Sequence, residues 1–208
     1  MLPKLYLITN QAQARKATGS LQATVRQALE AGARLIQLRE KHLSHAQLLE
    51  LAEQLVPLVH EYDAKILINT HESIASLTGA DGVHRPSYGP TVGELRAQMG
   101  GELGDGLVGV STHSLAEAKA AEEQGADFVT LSPIFETASK PGYGPALGVE
   151  ELGRVCEAVG VPVFALAGVT PERVEACLEA GAYGVAVMGG VMRAKDVGVA
   201  VKAYLAGF

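Results

Sequence analysis

Short apolar runs recur along the chain, each closed by a polar residue or a glycine. Four of them share one form: "EAGARLIQL" (30–38), "LTGADGVH" (77–84), "EQGADFVTL" (123–131) and "EAGAYGVAV" (179–187). In each, a helix-like stretch ends at Gly-Ala and an apolar, β-branched run follows. Glycine suits the left-handed residue just past a helix end, and the run after it suits a strand. The glycines concerned, Gly32, Gly79, Gly125 and Gly181, lie 47, 46 and 56 residues apart. A βα unit takes roughly 25–30 residues, so each period holds two units. The intervening strands are read at "KLYLIT" (4–9), "KILIN" (65–69), "LVGVS" (107–111) and "VPVFALAG" (161–168), which makes eight in all. Their near-continuous apolar character is that of a parallel sheet buried on both faces.

The stretches between strands carry helix signals. Ser44 with Gln47 and Ser114 with Glu117 have capping-box spacing. Thr170-Pro171 reads as an N-cap followed by proline at the first helical position. Pro57, inside a helical pattern over 44–62, is expected to kink or shorten that helix. Eight alternating units predict an α/β fold, a single (β/α)8 TIM barrel over residues 1–208. A doubly wound open sheet would also satisfy the alternation, but the fourfold repeat favours closure.

Composition narrows the function classes. The 208 residues are 48% hydrophobic and 19% charged, ordinary for a globular domain. A net charge of −6 argues against nonspecific binding of nucleic acid or of an anionic membrane. No apolar run approaches the roughly 18 residues of a membrane span, and "MLPKLYLITN" lacks the form of a signal peptide. Cys156 and Cys177 are isolated and have no metal-ligand spacing. The expectation is a cytoplasmic protein with reduced thiols; self-association into a homo-oligomer is compatible with the sequence.

In such barrels chemistry lies where the strands end. Strand 2 supplies Gln37 and Arg39, two apart and therefore on one face, with Lys41 just beyond. Strand 3 ends in Asn69-Thr70, strand 4 in His84-Arg85, and strand 5 in Ser111 with His113. Arg39, Lys41, Arg85 and Lys140 are expected to gather round one mouth, which points to an anionic ligand. Gly168, after strand 7, and Met188-Gly189-Gly190, after strand 8, stand where barrels bind phosphate on backbone N–H groups. The segment 136–148 is long for a βα loop and reads as a lid that carries Lys140 inward. His113 is the candidate acid–base group, while His84 reads equally well as a packed, hydrogen-bonded histidine.

Taken in order, "YLIT", "IQLREK", "ADGVH", "GVSTHSLAEAKAAEEQGADFV", "SPIFETASKPGYGPALG" and "AGAYGVAVMGGV" resemble the thiamine phosphate synthase superfamily over nearly the whole chain. The resemblance implies one of two activities. Synthases join a pyrimidine pyrophosphate to a thiazole phosphate with Mg²⁺. The TenI-type branch includes a thiazole tautomerase that aromatises a carboxythiazole phosphate without a metal. Residue by residue, the resemblance implies that Gln37, Arg39, Lys41 and Asn69 bind substrate. Thr137, Ser139 and Lys140 fall on the substrate-binding flap, and Gly168, Met188, Gly189 and Gly190 on the phosphate loops. It also exposes a departure. The synthase pattern has Asn-Asp where this chain has Asn69-Thr70, and a further Asp in the loop that here reads His84-Arg85-Pro86-Ser87-Tyr88-Gly89. Both carboxylates expected on Mg²⁺ are missing, and Arg85 adds a cation beside the place. The sequence therefore leans to the metal-free tautomerase, with no cofactor and a small phosphorylated thiazole as partner. Synthase activity, with Mg²⁺, is the alternative; a non-catalytic thiazole or thiamine phosphate-binding regulator is the third reading.

Overall fold

The computed structural model describes residues 1–99, 104–137 and 145–208. Eight parallel strands close into a barrel in sequence order: β1 (Leu5–Ile8), β2 (Leu35–Leu38), β3 (Lys65–Asn69), β4 (Gly82–Arg85), β5 (Leu107–Thr112), β6 (Phe128–Leu131), β7 (Val163–Leu166) and β8 (Gly184–Val187). Closure is made by β1 against β8, with Tyr6 opposite Ala186. The open-sheet alternative is thereby excluded, and all eight expected strands are present. The repeating glycines serve as anticipated: Gly32, Gly79, Gly125 and Gly181 all take positive φ between a helix and the next strand.

Alternation along each strand sorts the residues into two layers. The inner face carries Tyr6, Ile8, Leu35, Leu67, Phe128, Phe164 and Ala186, a small cluster that fills the barrel's interior. Tyr6, Phe128 and Phe164 meet edge-on, with ring centroids 5.4 Å apart for Tyr6–Phe128 and for Phe128–Phe164. The outer face, including Leu7, Ile36, Ile66, Val83, Val129 and Val185, packs under the helices in the larger core. Each fully buried Leu, Ile, Val or Phe contributes about 1.5–3 kcal/mol relative to exposure.

Of the signalled helix starts, Ser114 accepts from the Glu117 N–H at 3.2 Å, while Thr170-Pro171 opens a three-residue 3-10 turn ahead of the next helix and the Thr170 side chain makes no cap bond. In α3 (His45–His60), Ser44 and Gln47 form a complete capping box. The helix runs through Pro57 and ends one turn later, at His60, inside the span expected for it. Pro57 and Glu53, the residue whose carbonyl loses its partner, both face solvent, so water can take over the lost hydrogen bond. Two features lie beyond one helix per unit. α1 (Gln11–Thr18) and α2 (Leu21–Glu30) share the first crossover, separated by Gly19 and capped by Asn10 and Ser20. After β8 come a four-residue α9 (Gly189–Met192) and then α10 (Val197–Leu205). The remaining helices are α4 (Glu72–Thr78), α5 (Val92–Met99), α6 (Leu115–Glu123), α7 (Gly148–Ala158) and α8 (Val174–Glu179). Among the described residues no helix is long and apolar enough to cross a membrane.

Candidate active site

A cavity of about 850 Å³ opens at the C-terminal ends of the strands. Gln37, Arg39, Lys41, Asn69, His113, Thr137, Gly168, Met188, Gly189 and Gly190 all line it, so ten sequence-selected residues converge on one space. Ser139 and Lys140 lie outside the described residues, as does most of the expected lid.

On the β2 side, Arg39 and partial burial hold the Lys41 ammonium below its usual pKa, because two cations so close disfavour each other's charge. An anion placed there would relieve both. Between them in sequence, Glu40 also reaches the cavity wall, but its carboxylate is engaged within the protein. Its carboxylate is 4% exposed and accepts from the Thr9 hydroxyl at 2.7 Å and from the Gln11 backbone N–H at 2.9 Å. The Thr9 hydroxyl in turn accepts from the Arg39 backbone N–H at 2.9 Å. Glu40 thus ties the end of β1 to the end of β2 and sets the stretch that carries Arg39 and Lys41.

Arg85 corrects the sequence expectation. It does not line the cavity: one terminal nitrogen donates to the Pro86 carbonyl at 3.1 Å and the other to Gln124 Oε1 at 2.7 Å. The reason is the strand period of two. His84 takes the inner face, so its neighbour must take the outer one. Arg85 therefore presents no guanidinium to the mouth, although its charge is felt by the His84 ring.

His84 is 2% exposed, with Nδ1 3.3 Å from the Tyr6 hydroxyl and Nε2 2.9 Å from Ser111 Oγ. Burial first, then Arg39 and Arg85, push its pKa down to about 3. Because the folded value lies below the unfolded 6.5, the unfolded chain binds the extra proton between these limits. This contribution to stability is present above pH 6.5 and is lost as the pH falls towards 3. The expected slope is about 1.4 kcal/mol per pH unit in that window. Urea unfolding at several pH values should show the wild type losing stability with acid by that much more than His84→Gln. Equal slopes would mean that His84 is charged in the folded protein.

His113 follows β5 and is anchored at its backbone N–H, which donates to Glu117 Oε2 at 2.8 Å. Its ring Nδ1 lies 2.9 Å from the Ser132 carbonyl oxygen. A carbonyl can only accept, so Nδ1 carries the hydrogen and the lone pair of the neutral ring falls on Nε2. His113 lines the cavity, and in this tautomer Nε2 is the acceptor nitrogen of the ring.

At the β7–β8 end, two glycines are required by their neighbours. Gly168 has φ 65°, and a Cβ there would stand 2.5 Å from the Glu136 carbonyl oxygen. A Cβ on Gly190 would collide with the Tyr204 hydroxyl, which donates to the Val169 carbonyl at 3.0 Å. Two arginines that the sequence reading passed over join these loops. Arg173 donates to the Gly168 carbonyl at 2.7 Å and stacks 4.6 Å from the Phe135 ring centre. Arg193 Nε donates to the Gly189 carbonyl at 3.3 Å. Both line the cavity. The spacing of Gly189 and Arg193, one helical turn, was the available signal for the second.

A family model described as thiamine monophosphate synthase matches residues 5–191. The chain belongs to the thiamine monophosphate synthase family. "Putative thiamine-phosphate synthase 2" of Aquifex aeolicus is 43% identical over 187 residues, covering 89% of this chain and 95% of that protein. A thiamine-phosphate synthase of Caldivirga maquilingensis is 38% identical, covering 81% and 80% of the respective chains. Among solved structures, a thiamine phosphate pyrophosphorylase from Pyrococcus furiosus superposes with a TM-score of 0.85 at 30% identity, covering 98% of this chain and 94% of that one. These relatives carry the synthase name; none of the three is named a tautomerase.

The synthases of this family, as the sequence resemblance implies, use Mg²⁺, and the donor set here can be tested against that ion. Magnesium takes oxygen ligands, usually one or two carboxylates beside substrate phosphates. At the end of β3, the Thr70 hydroxyl already accepts from Asn69 Nδ2 at 2.6 Å. Glu40 is committed to Thr9 and Gln11, which leaves Glu136 as the other described carboxylate in the cavity wall. No group of three or more His, Cys, Asp or Glu is arranged for a metal among the described residues. These residues do not fit the ion.

Proposed function

We propose that this protein is an enzyme of thiamine biosynthesis, a thiazole tautomerase that aromatises a carboxythiazole phosphate by metal-independent proton transfer. The observation that carries the reading is His113: an imidazole held at Nδ1 by the Ser132 carbonyl, with its lone pair on Nε2, in the wall of a cavity poor in carboxylates. Family membership supports a thiamine intermediate as the ligand. In the reaction, Nε2 removes a proton from a ring carbon and the electrons shift through the ring. The imidazolium then returns the proton to the exocyclic carbon, leaving an aromatic thiazole. No hydrogen is gained or lost, so no oxidant or metal is called for. The backbone N–H groups of Gly168, Gly189 and Gly190, with Arg173 and Arg193, hold the phosphate. Gln37, Arg39, Lys41, Asn69 and Thr137 meet the rest of the ligand. By sequence, Ser139 and Lys140 in the proposed lid serve the same ligand.

The phosphate assignment has its own test. A Cβ added at Gly189 would stand 2.7 Å from a terminal nitrogen of Arg193, the far end of a flexible side chain, so the fold can absorb it. Gly189→Asp should therefore fold, place a carboxylate against Arg193 and repel the phosphate. Affinity for thiazole phosphate should fall about 100-fold or more by calorimetry. Unchanged affinity in a folded variant would put the phosphate elsewhere.

A second reading, thiamine-phosphate synthase, is favoured by the names of the relatives and by the retained Gln37, Arg39, Lys41 and Asn69. Assays of both reactions, each with Mg²⁺ and with chelator, separate the two. Chelator-resistant tautomerisation without thiamine phosphate formation supports the first, and Mg²⁺-dependent condensation supports the second. Tight binding with no turnover in either assay supports a regulatory binder.

A further inference from the structure

Inside the barrel, polar side chains form one chain of hydrogen bonds that ends at the cavity. Gln37 Nε2 donates to the Tyr6 hydroxyl at 2.9 Å, the Tyr6 hydroxyl lies 3.3 Å from His84 Nδ1, and His84 Nε2 lies 2.9 Å from Ser111 Oγ. An amide nitrogen can only donate, so Tyr6 accepts from Gln37 and turns its own hydrogen to His84 Nδ1. Nδ1 then bears the lone pair, and the neutral ring must carry its hydrogen on Nε2. That hydrogen goes to the Ser111 oxygen. The Ser111 hydrogen has no acceptor among the described residues, and Ser111 lines the cavity, so a ligand there can take it.

The surroundings are fitted to this arrangement. Gly109 lies beside His84 in the β4–β5 register, and a Cβ there would stand 2.6 Å from His84 Nδ1. Tyr6 and Phe128 pack against the imidazole at centroid distances of 5.7 and 5.8 Å. Burial and the nearby Arg39 and Arg85 keep the ring neutral, so it has one hydrogen to place. Beside Ser111 in the next strand, the buried Thr130 hydroxyl has no partner among the described residues.

We propose that Gln37, Tyr6 and His84 fix Ser111 as a one-way hydrogen-bond donor, so that the site selects a ligand presenting a lone-pair acceptor at that wall. A carboxylate oxygen or an unprotonated ring nitrogen meets the requirement; a hydroxyl or ammonium group that must donate does not. Tyr6 lies behind the cavity wall and His84 reaches it, and in this proposal both act through Ser111 as positioning residues. The proposal rests on the cavity being the ligand site, as above, but not on the choice between tautomerase and synthase.

The polarity can be read without any ligand. In the wild-type protein labelled with ¹⁵N-histidine, long-range proton–nitrogen spectra should show one imidazole held as the Nε2–H tautomer throughout the neutral pH range. The reversed chain has Tyr6 donating to Gln37 Oε1 and Ser111 donating to His84 Nε2. It would place the hydrogen on Nδ1, and that result overturns the proposal. The consequence for binding is read with carboxythiazole phosphate by calorimetry. Ser111→Ala and Tyr6→Phe should each weaken it about threefold to tenfold. The double variant should be no weaker than Ser111→Ala, because both changes remove the same donated hydrogen. Additive losses would mean that Tyr6 acts on the fold rather than through Ser111, and would overturn the proposal. A wild type with the Nε2–H tautomer that does not bind carboxythiazole phosphate would uphold the polarity and overturn the proposed function.

Discussion

Replacing His113 by alanine is expected to slow tautomerisation about 10²–10⁴-fold while affinity for the thiazole phosphate changes little. The size follows from the role. A positioned acid–base group contributes that much to a proton transfer, and in the proposed mechanism one nitrogen both takes and returns the proton. Affinity is spared because the phosphate is assigned to the β7 and β8 loops and their arginines, on other strands of the barrel. His113→Asn separates two contributions. Its amide can still donate to the Ser132 carbonyl, which accepts from Nδ1 at 2.9 Å in the parent, yet it cannot accept a proton near neutral pH. A loss in His113→Asn as large as in His113→Ala therefore locates the effect in proton transfer rather than in packing. Steady-state kinetics with the pre-aromatic thiazole isomer measures this directly. Wild-type turnover in either variant would remove His113 from the mechanism and, with it, the observation on which the tautomerase reading stands.

The barrel was legible because its signals are local. A glycine at a helix end, an apolar run and a recurrent spacing are each contained in a few residues, and repetition multiplied them. The period of two placed Gln37 and Arg39 together on the cavity wall. The same rule, applied one step further at β4, separates His84 from Arg85; grouping Arg85 with the mouth overlooked it. What the sequence concealed is what depends on reach between distant elements. Tyr6 and His84 are 78 residues apart and meet because β1 and β4 face each other across the barrel's interior. Arg173 and Arg193 fold back onto the Gly168 and Gly189 carbonyls, and of these two returns only the one-turn spacing of Gly189 and Arg193 leaves a mark in the sequence. Glu40 sits inside the "IQLREK" motif among residues that line the cavity, yet its carboxylate is held by Thr9 and Gln11. The division of the first crossover was readable, since Asn10 and Ser20 are N-cap residues and Gly19 lies between them. Treating every unit as one strand and one helix hid it.

The wild-type protein is expected to form negligible thiamine phosphate even in excess Mg²⁺, while its tautomerisation proceeds in the presence of chelator. When a pyrophosphate leaves, negative charge accumulates on its oxygens. Arg39 and Lys41 can meet part of that charge. A divalent ion on the phosphates contributes several kcal/mol more. At about 1.36 kcal/mol per tenfold, its loss costs several orders of magnitude in rate. Position 70 is where the structure sharpens the argument. Thr70 has φ 72°, a left-handed conformation in which a β-branched residue is strained, whereas aspartate and asparagine enter it more readily. The backbone there is the one an aspartate suits, but the residue is a threonine whose hydroxyl is taken up by Asn69. Thr70→Asp should therefore relieve about 1 kcal/mol of backbone strain, visible as a raised Tm, and at the same time supply one carboxylate at the mouth. With Tyr88→Asp, on the exposed loop after β4 that also lines the cavity, the pair should produce weak Mg²⁺ binding measurable by calorimetry, absent from the parent. Robust Mg²⁺-dependent synthesis by the unmodified protein would overturn the tautomerase reading in favour of the synthase. It would mean that substrate phosphates, water and the Thr70 hydroxyl hold the ion without a carboxylate from β3.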